Sequence, residues 1–190
     1  MVVSSSPRGR PAGINSNETR RRIIDAAMRC VAESGCAGAG IREIAAAAEI
    51  TSGSLYHHFP SKAELLQATV AAAREAALPR LRIAARRHSD VVAQLAAVLE
   101  EADRMAQENP QLAAFDRAMG TVPPLRDVIG EIVSDAQRGG ALAAGVEPDS
   151  AADAVYALAR GLAEQADRLP PAAYRDALRG AEDLIRGALF

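Results

Sequence analysis

The sequence predicts an all-α chain, with a three-helix N-terminal helix-turn-helix domain and a larger C-terminal helical body. Three observations carry this reading. Apolar residues recur at helical spacing through most of the 190 residues, and no segment alternates with the period of two that marks a strand. Glycine, proline and short polar side chains fall between the periodic segments, where helices start and stop. Aromatic residues make up 3% of the chain and Trp is absent, so Ala, Leu, Val and Ile must pack a core that 49% hydrophobic content can supply.

Residues 1–16 are rich in Ser, Pro, Gly and Arg without periodicity, which predicts a disordered basic tail. Within it, Arg8-Gly9-Arg10-Pro11 has the make-up of a segment whose arginines enter a narrow minor groove; a solvated basic leader is the other reading. The first helix is expected from Asn17, a capping residue, through Ile23, Ile24, Ala27, Met28 and Val31 until Gly35 stops it. A second runs from about Ile41 to Ala48. A third opens on Thr51, whose hydroxyl can cap it, and ends before Pro60. Ser61-Lys62-Ala63-Glu64 is a capping box that launches a long helix toward Leu78, where Pro79 is expected to kink or break it. Further helices are expected at about 90–108, 111–119, 124–138, 149–168 and 171–188. The domains that follow are residues 17–62, a helix-turn-helix unit, and 63–190, a helical body.

Charge is unevenly placed. Residues 1–62 hold eight basic against five acidic side chains, net +3, whereas the rest of the chain, with 14 basic and 19 acidic, carries −5. A basic head on an acidic body suits a protein that presents one end to a polyanion. No run reaches the roughly 18 apolar residues of a membrane span, and the N-terminus lacks an apolar signal core, so a cytoplasmic protein is expected. Cys30 and Cys36 fit neither a metal spacing nor a redox CxxC. His57 and His58, adjacent on a helix, splay about 100° apart and suit no shared metal. Neither a nucleophile signature, a phosphate-binding glycine loop nor HExxH is present, so neither an enzyme, a metal nor a cofactor is expected.

The chemistry concentrates in Thr51-Ser-Gly-Ser-Leu-Tyr-His-His-Phe-Pro-Ser-Lys62. A helix that lies in the DNA major groove needs its backbone near the bases, and Gly53 and Ser54 leave that room at its N-terminus. Free N–H groups and the positive dipole end favour phosphate there. Leu55 and Phe59, at i and i+4, point the other way into a small core, and Tyr56, His57 and His58 offer donors outward. Lys62 sits at a helix N-terminus, where a cation is disfavoured unless it meets an anion.

Residues Glu18 to Val70 closely resemble the DNA-binding domain of the TetR family of bacterial repressors. The likeness rests on Arg22-Ile-Ile-Asp-Ala-Ala-Met-Arg, Gly35, Ile41-Arg-Glu-Ile-Ala, Thr51-Ser-Gly-Ser-Leu-Tyr-His-His-Phe and Ser61-Lys-Ala-Glu-Leu-Leu. It implies that Arg42, Ser52, Gly53 and Ser54 approach bases and that Tyr56, His57 and Lys62 approach phosphate. Thr51 opens that surface, and His58 holds the helix or touches backbone. Two positions depart from the pattern. Gly40 stands where Ser or Thr usually caps the second helix, and Glu49 replaces the usual turn glycine, so it must adopt an uncommon backbone angle or change the turn.

The resemblance further implies a ligand-binding and dimerisation body, a homodimer formed by the last two helices, and a roughly palindromic operator in double-stranded DNA. Gly161 and Gly180 lie inside those helices, where close helix–helix approach would compensate their cost. Met105, Phe115, Met119 and Tyr156 are the softer or larger apolar side chains of the middle helices, and either line a small-molecule effector site or are ordinary core. The function expected is a repressor released from DNA by a small hydrophobic effector; the alternative is a DNA-binding structural or adaptor protein without one.

Overall fold

The computed structural model describes residues 14–120, 124–166 and 168–190. The tail segment holding Arg8 and Arg10 lies outside them. The described residues form nine helices and no strand: α1 (Ile14–Gly38), α2 (Ile41–Ala47), α3 (Ser52–His58), α4 (Lys62–Ala85), α5 (Val91–Glu108), α6 (Pro110–Met119), α7 (Pro124–Arg138), α8 (Pro148–Ala166) and α9 (Pro171–Leu189). The chain divides into two compact units, Met1–Ala71 and Ala72–Phe190, with the division inside α4. The first turns of α4 carry Leu65, Leu66 and Thr69, all buried, which explains why the first unit extends past the loop before Lys62.

In the first unit, α1 begins at Ile14, three residues before the expected cap at Asn17, since nothing after Gly13 breaks a helix there. Gly35 interrupts it with φ 75°, a left-handed conformation that glycine adopts without steric cost. Ile23, Ala27 and Val31 line the inward face of α1 and are buried, as are Ile44, Leu55 and Phe59 of the following segments. Between α2 and α3, Glu49 takes φ 56°, the left-handed turn geometry its position demands despite its side chain. Arg22 donates to the Ala48 carbonyl and lies 3.7 Å from the Glu49 carboxylate, so it closes the end of α2 and steadies that turn.

In the second unit, α5, α7 and α8 enclose Leu95, Val98, Ile129, Val133, Ala152 and Val155, with Ile185 of α9 packed against them. The break expected at Pro79 does not occur: the helix runs through Pro79 to Ala85. Proline removes one bond, to the carbonyl of Glu75, and both residues lie on the exposed face where water can satisfy that oxygen. Side-chain ties flank the proline: Arg74 pairs with Asp127, Arg80 donates to Glu101 at 2.7 Å and to Glu108 at 2.6 Å, and Arg82 grips Glu131. Glu101 is 7% exposed and also accepts from Arg104, so its burial is matched by two guanidinium partners.

Candidate nucleic-acid interface and body cavities

The α2–turn–α3 hairpin is built by its caps. The Thr51 hydroxyl accepts the Ser54 N–H at 3.1 Å and so starts α3, while the Phe59 N–H closes on the Leu55 carbonyl at 2.9 Å. At the head of α2, where Gly40 has no side chain to cap, the Glu43 carboxylate turns back and accepts the Gly40 N–H at 2.9 Å.

This hairpin sorts α3 into two faces. Leu55 is fully buried and Phe59 is 2% exposed, so they fix the helix on its core. Gly53, His57 and Tyr56, the last 50% exposed, face outward; Ser52, Ser54 and His58 are half-buried between the faces. Arg42 is exposed on α2 with no partner among the described residues. The outward positions therefore form a surface of small residues, hydrogen-bonding rings and one free guanidinium, which can approach a groove closely and donate to it.

The basic residues of this unit divide by role. Arg22 and Arg29 serve the carbonyls of Ala48 and Ala47 at the end of α2, the second at 3.4 Å. Arg20 lies over the Phe59 ring, 4.7 Å from its centroid. Lys62, expected from its position to need an anion, donates instead to the Cys36 carbonyl at 2.8 Å, at the negative end of α1. That bond ties the start of α4 to the end of α1, a role the sequence signals only through the oddity of a cation at a helix N-terminus.

The second unit contains two adjoining apolar cavities. The larger, about 230 Å³, lies among α5, α8 and α9. The smaller, about 140 Å³, lies among α4, α5, α6 and α7. Ala102, Ala106 and Leu125 line both and form the wall between them. Of the four residues singled out from sequence, Met105 lines the smaller cavity and none lines the larger. Phe115 is fully buried and lines neither; Tyr156 packs half-buried on the core, and Met119, also half-buried, lines neither. Many of the missed residues are alanines (Ala96, Ala159, Ala163 and Ala181 in the larger cavity), because space opens where short side chains face each other.

Two groups in these cavities are held away from their usual ionisation. Burial raises the Asp116 carboxyl in the smaller cavity. Burial, and secondly the Asp103 carboxylate, raise the Tyr174 hydroxyl in the larger one. A raised folded-state carboxyl costs stability once pH climbs above the unfolded value near 3.9. Asp116→Asn is therefore expected to stabilise the fold at neutral pH, with a gain that shrinks as pH falls through the raised folded value and is absent below about 4. Urea melts at several pH values check this; a pH-independent difference would mean that Asp116 ionises as it does in water.

A helix-turn-helix with a capped, two-faced second helix, followed by a larger helical unit with apolar cavities, defines the class. Residues 23–69 match the family described as "Bacterial regulatory proteins, tetR family". That match spans about a quarter of the chain and lies in its helix-turn-helix unit, which is similar to the DNA-binding domain of this family. The chain is 42% identical over 64 residues to the HTH-type transcriptional regulator UidR of Escherichia coli K12, a match covering 34% of this chain and 33% of that protein. The chain thus spans about a third of the length of the curated relatives it matches. Its fold is similar over far more. A putative tetR family transcription regulator from Shewanella sp. PV-4 superposes with TM-score 0.74 at 19% identity, covering 90% of this chain and 97% of that one. FadR from Bacillus subtilis, in complex with stearoyl-CoA, gives TM-score 0.69 at 15% identity, covering 90% and 99%.

Proposed function

We infer that the protein is a homodimeric, DNA-binding transcriptional regulator, a repressor that leaves its operator when a small molecule occupies the C-terminal unit. The observation that carries the reading is the face of α3: Gly53, Tyr56 and His57 point outward while Leu55 and Phe59 hold the helix. Arg42, Thr51, Ser52, Ser54 and His58 surround that face and make up its contact surface with bases and phosphates. Lys62 acts here by fixing α4 to α1, and any phosphate it meets competes with the Cys36 carbonyl. The adjoining cavities favour a ligand-responsive repressor over an effector-free adaptor, whose body would need no space. No catalytic step forms part of this reading. Coupling works by differential affinity: ligand favours a state whose two recognition helices no longer fit successive major grooves.

The test is selection of duplexes from a random pool with the full chain, followed by titration at several salt concentrations. Enrichment of a two-fold-related sequence, with affinity falling steeply as salt rises, is expected. Binding without sequence enrichment would leave only general attraction to a polyanion.

Dimerisation belongs to α8 and α9. Gly161, Gly180 and Gly187 are exposed, and a methyl group on any of them would meet nothing within 4 Å among the described residues. Leu184 beside them is 66% exposed. Gly costs about 1 kcal/mol in a helix, with no return inside this subunit. Gly180→Leu is expected to shift the protein toward monomer in sedimentation while its helicity holds; an unchanged dimer would place the interface elsewhere.

A further inference from the structure

The cavity among α5, α8 and α9 has an apolar body and a one-signed mouth. Leu95, Leu99, Val155 and Leu158 supply much of its wall, whereas its charged lining residues are Glu100, Asp103 and Glu182. None of its lining residues is Lys, Arg or His. The adjoining cavity repeats the pattern: its single charged lining residue is Asp116. Asp103 accepts the Gln107 amide at 2.8 Å; Glu100 and Glu182 have no hydrogen bond or ion pair among the described residues. Elsewhere the unit pairs its acids readily, with Arg80 on Glu101 and Glu108, Arg82 on Glu131 and Arg126 on Asp153. Like charges gathered around an apolar space repel one another and leave their attraction for a cation unspent.

We propose that this cavity binds a hydrophobic organic monocation, its apolar body among α5, α8 and α9 and its ammonium group at the Glu100, Asp103 and Glu182 rim. The proposal rests on the ligand-responsive reading above and names the chemistry of that ligand. Tyr174 lines the same cavity and presents an aromatic ring to the cation. Only the short Ala102 and Ala106 side chains and Leu125 are shared between this cavity and the one that holds Asp116, and the two volumes combined exceed the roughly 300 Å³ of a small-ligand pocket. Charge complementarity also sets this chain apart from its structural neighbour that holds stearoyl-CoA: a CoA thioester brings several phosphate charges, and neither cavity offers a cation to receive them.

Three probes of matched shape test this: trimethyl(4-phenylbutyl)ammonium, 4-phenylbutanol and 4-phenylbutyrate, titrated calorimetrically into the full chain. The cation is expected to bind most tightly and the carboxylate most weakly. Glu100→Gln combined with Glu182→Gln is expected to weaken the cation on the order of tenfold while leaving the alcohol unchanged, which also shows that the cavity is intact. The proposal is overturned if the alcohol or carboxylate binds as well as the cation, if the double variant binds the cation undiminished, or if no probe binds at millimolar concentration. Cation binding that weakens as the chain dimerises would assign the groove to a second copy and overturn it too. A separate titration on selected DNA isolates the regulatory reading. Cation binding without change in DNA affinity supports the occupant proposed here and removes the ligand-responsive function.

Discussion

Phe115→Ala is expected to lower the stability of the C-terminal unit by about 3–5 kcal/mol, the range for removing a buried phenyl ring. Phe115 is fully enclosed and is the one buried residue of α6, a ten-residue helix. A helix that short does not persist by propensity. Its ends are well made: the Asn109 side chain accepts the Leu112 N–H at 3.1 Å, Pro110 opens it, and Gly120 closes it with φ 60°. Caps of this kind contribute about 1 kcal/mol each, so the ring supplies the larger share of what keeps α6 in place. The loss should appear as a lower urea midpoint, with faster amide exchange over residues 110–119 than elsewhere in the unit. A loss under about 1 kcal/mol would mean that the site collapses around the deletion, as some core sites do. From sequence, Phe115 is open between effector contact and core. It lines neither cavity, and a ligand response retained in the folded variant would agree with the core role.

How much was legible follows from where the information lies. Helix limits set by local chemistry could be read directly, because Thr51 and Ser61 with Glu64 each cap within three residues of themselves. The two faces of α3 were legible for the same reason, since Leu55 and Phe59 lie one turn apart. Glu49 stands where the family that the chain resembles usually has the turn glycine, which leaves an uncommon backbone angle or a changed turn, and it adopts φ 56°. Pro79 does not end α4 because the cost of a helix-interior proline depends on what surrounds it. Here the freed carbonyl faces water, and Arg74, Arg80 and Arg82 tie α4 to partners 21 to 53 residues away. The Lys62–Cys36 bond spans 26 residues and was equally out of local reach.

The cavities were hidden for a different reason. Met and aromatic side chains fill space, so of the four residues singled out only Met105 lines a cavity, and Phe115, Met119 and Tyr156 mark where the body is packed. Rows of alanine on facing helices mark where it is not: Ala102 and Ala106 on α5 stand one turn apart, as do Ala159 and Ala163 on α8. That spacing was available in the sequence. Which helices face each other was not, since α5 meets α9 across some 70 residues of chain.

Gly53→Ala is expected to make the protein more stable and worse at binding DNA, two effects of opposite sign from one methyl group. Gly53 is exposed in the first turn of α3, and a Cβ there would have Thr51 Oγ1 as its nearest neighbour at 3.8 Å, an ordinary contact. Its φ is not in the left-handed range that would require glycine. Nothing in the fold asks for glycine here, and alanine in a helix is worth up to about 1 kcal/mol more. The sequence carries that cost at the point where the outward face of α3 starts, beside Ser52 and Ser54. Room left free against no neighbour in the chain is room for a partner outside it, and a groove entered by a helix N-terminus needs close backbone approach. The added methyl should then raise the melting temperature and lower affinity for the selected duplex by about 1–3 kcal/mol, the scale of one spoiled base contact. Binding of the phenylbutyl cation should not change, because that site lies wholly in the other unit. If the variant binds DNA as well as the parent chain, the N-terminus of α3 is not the surface that meets the bases, and the contact would have to be sought at Arg42 and along α2.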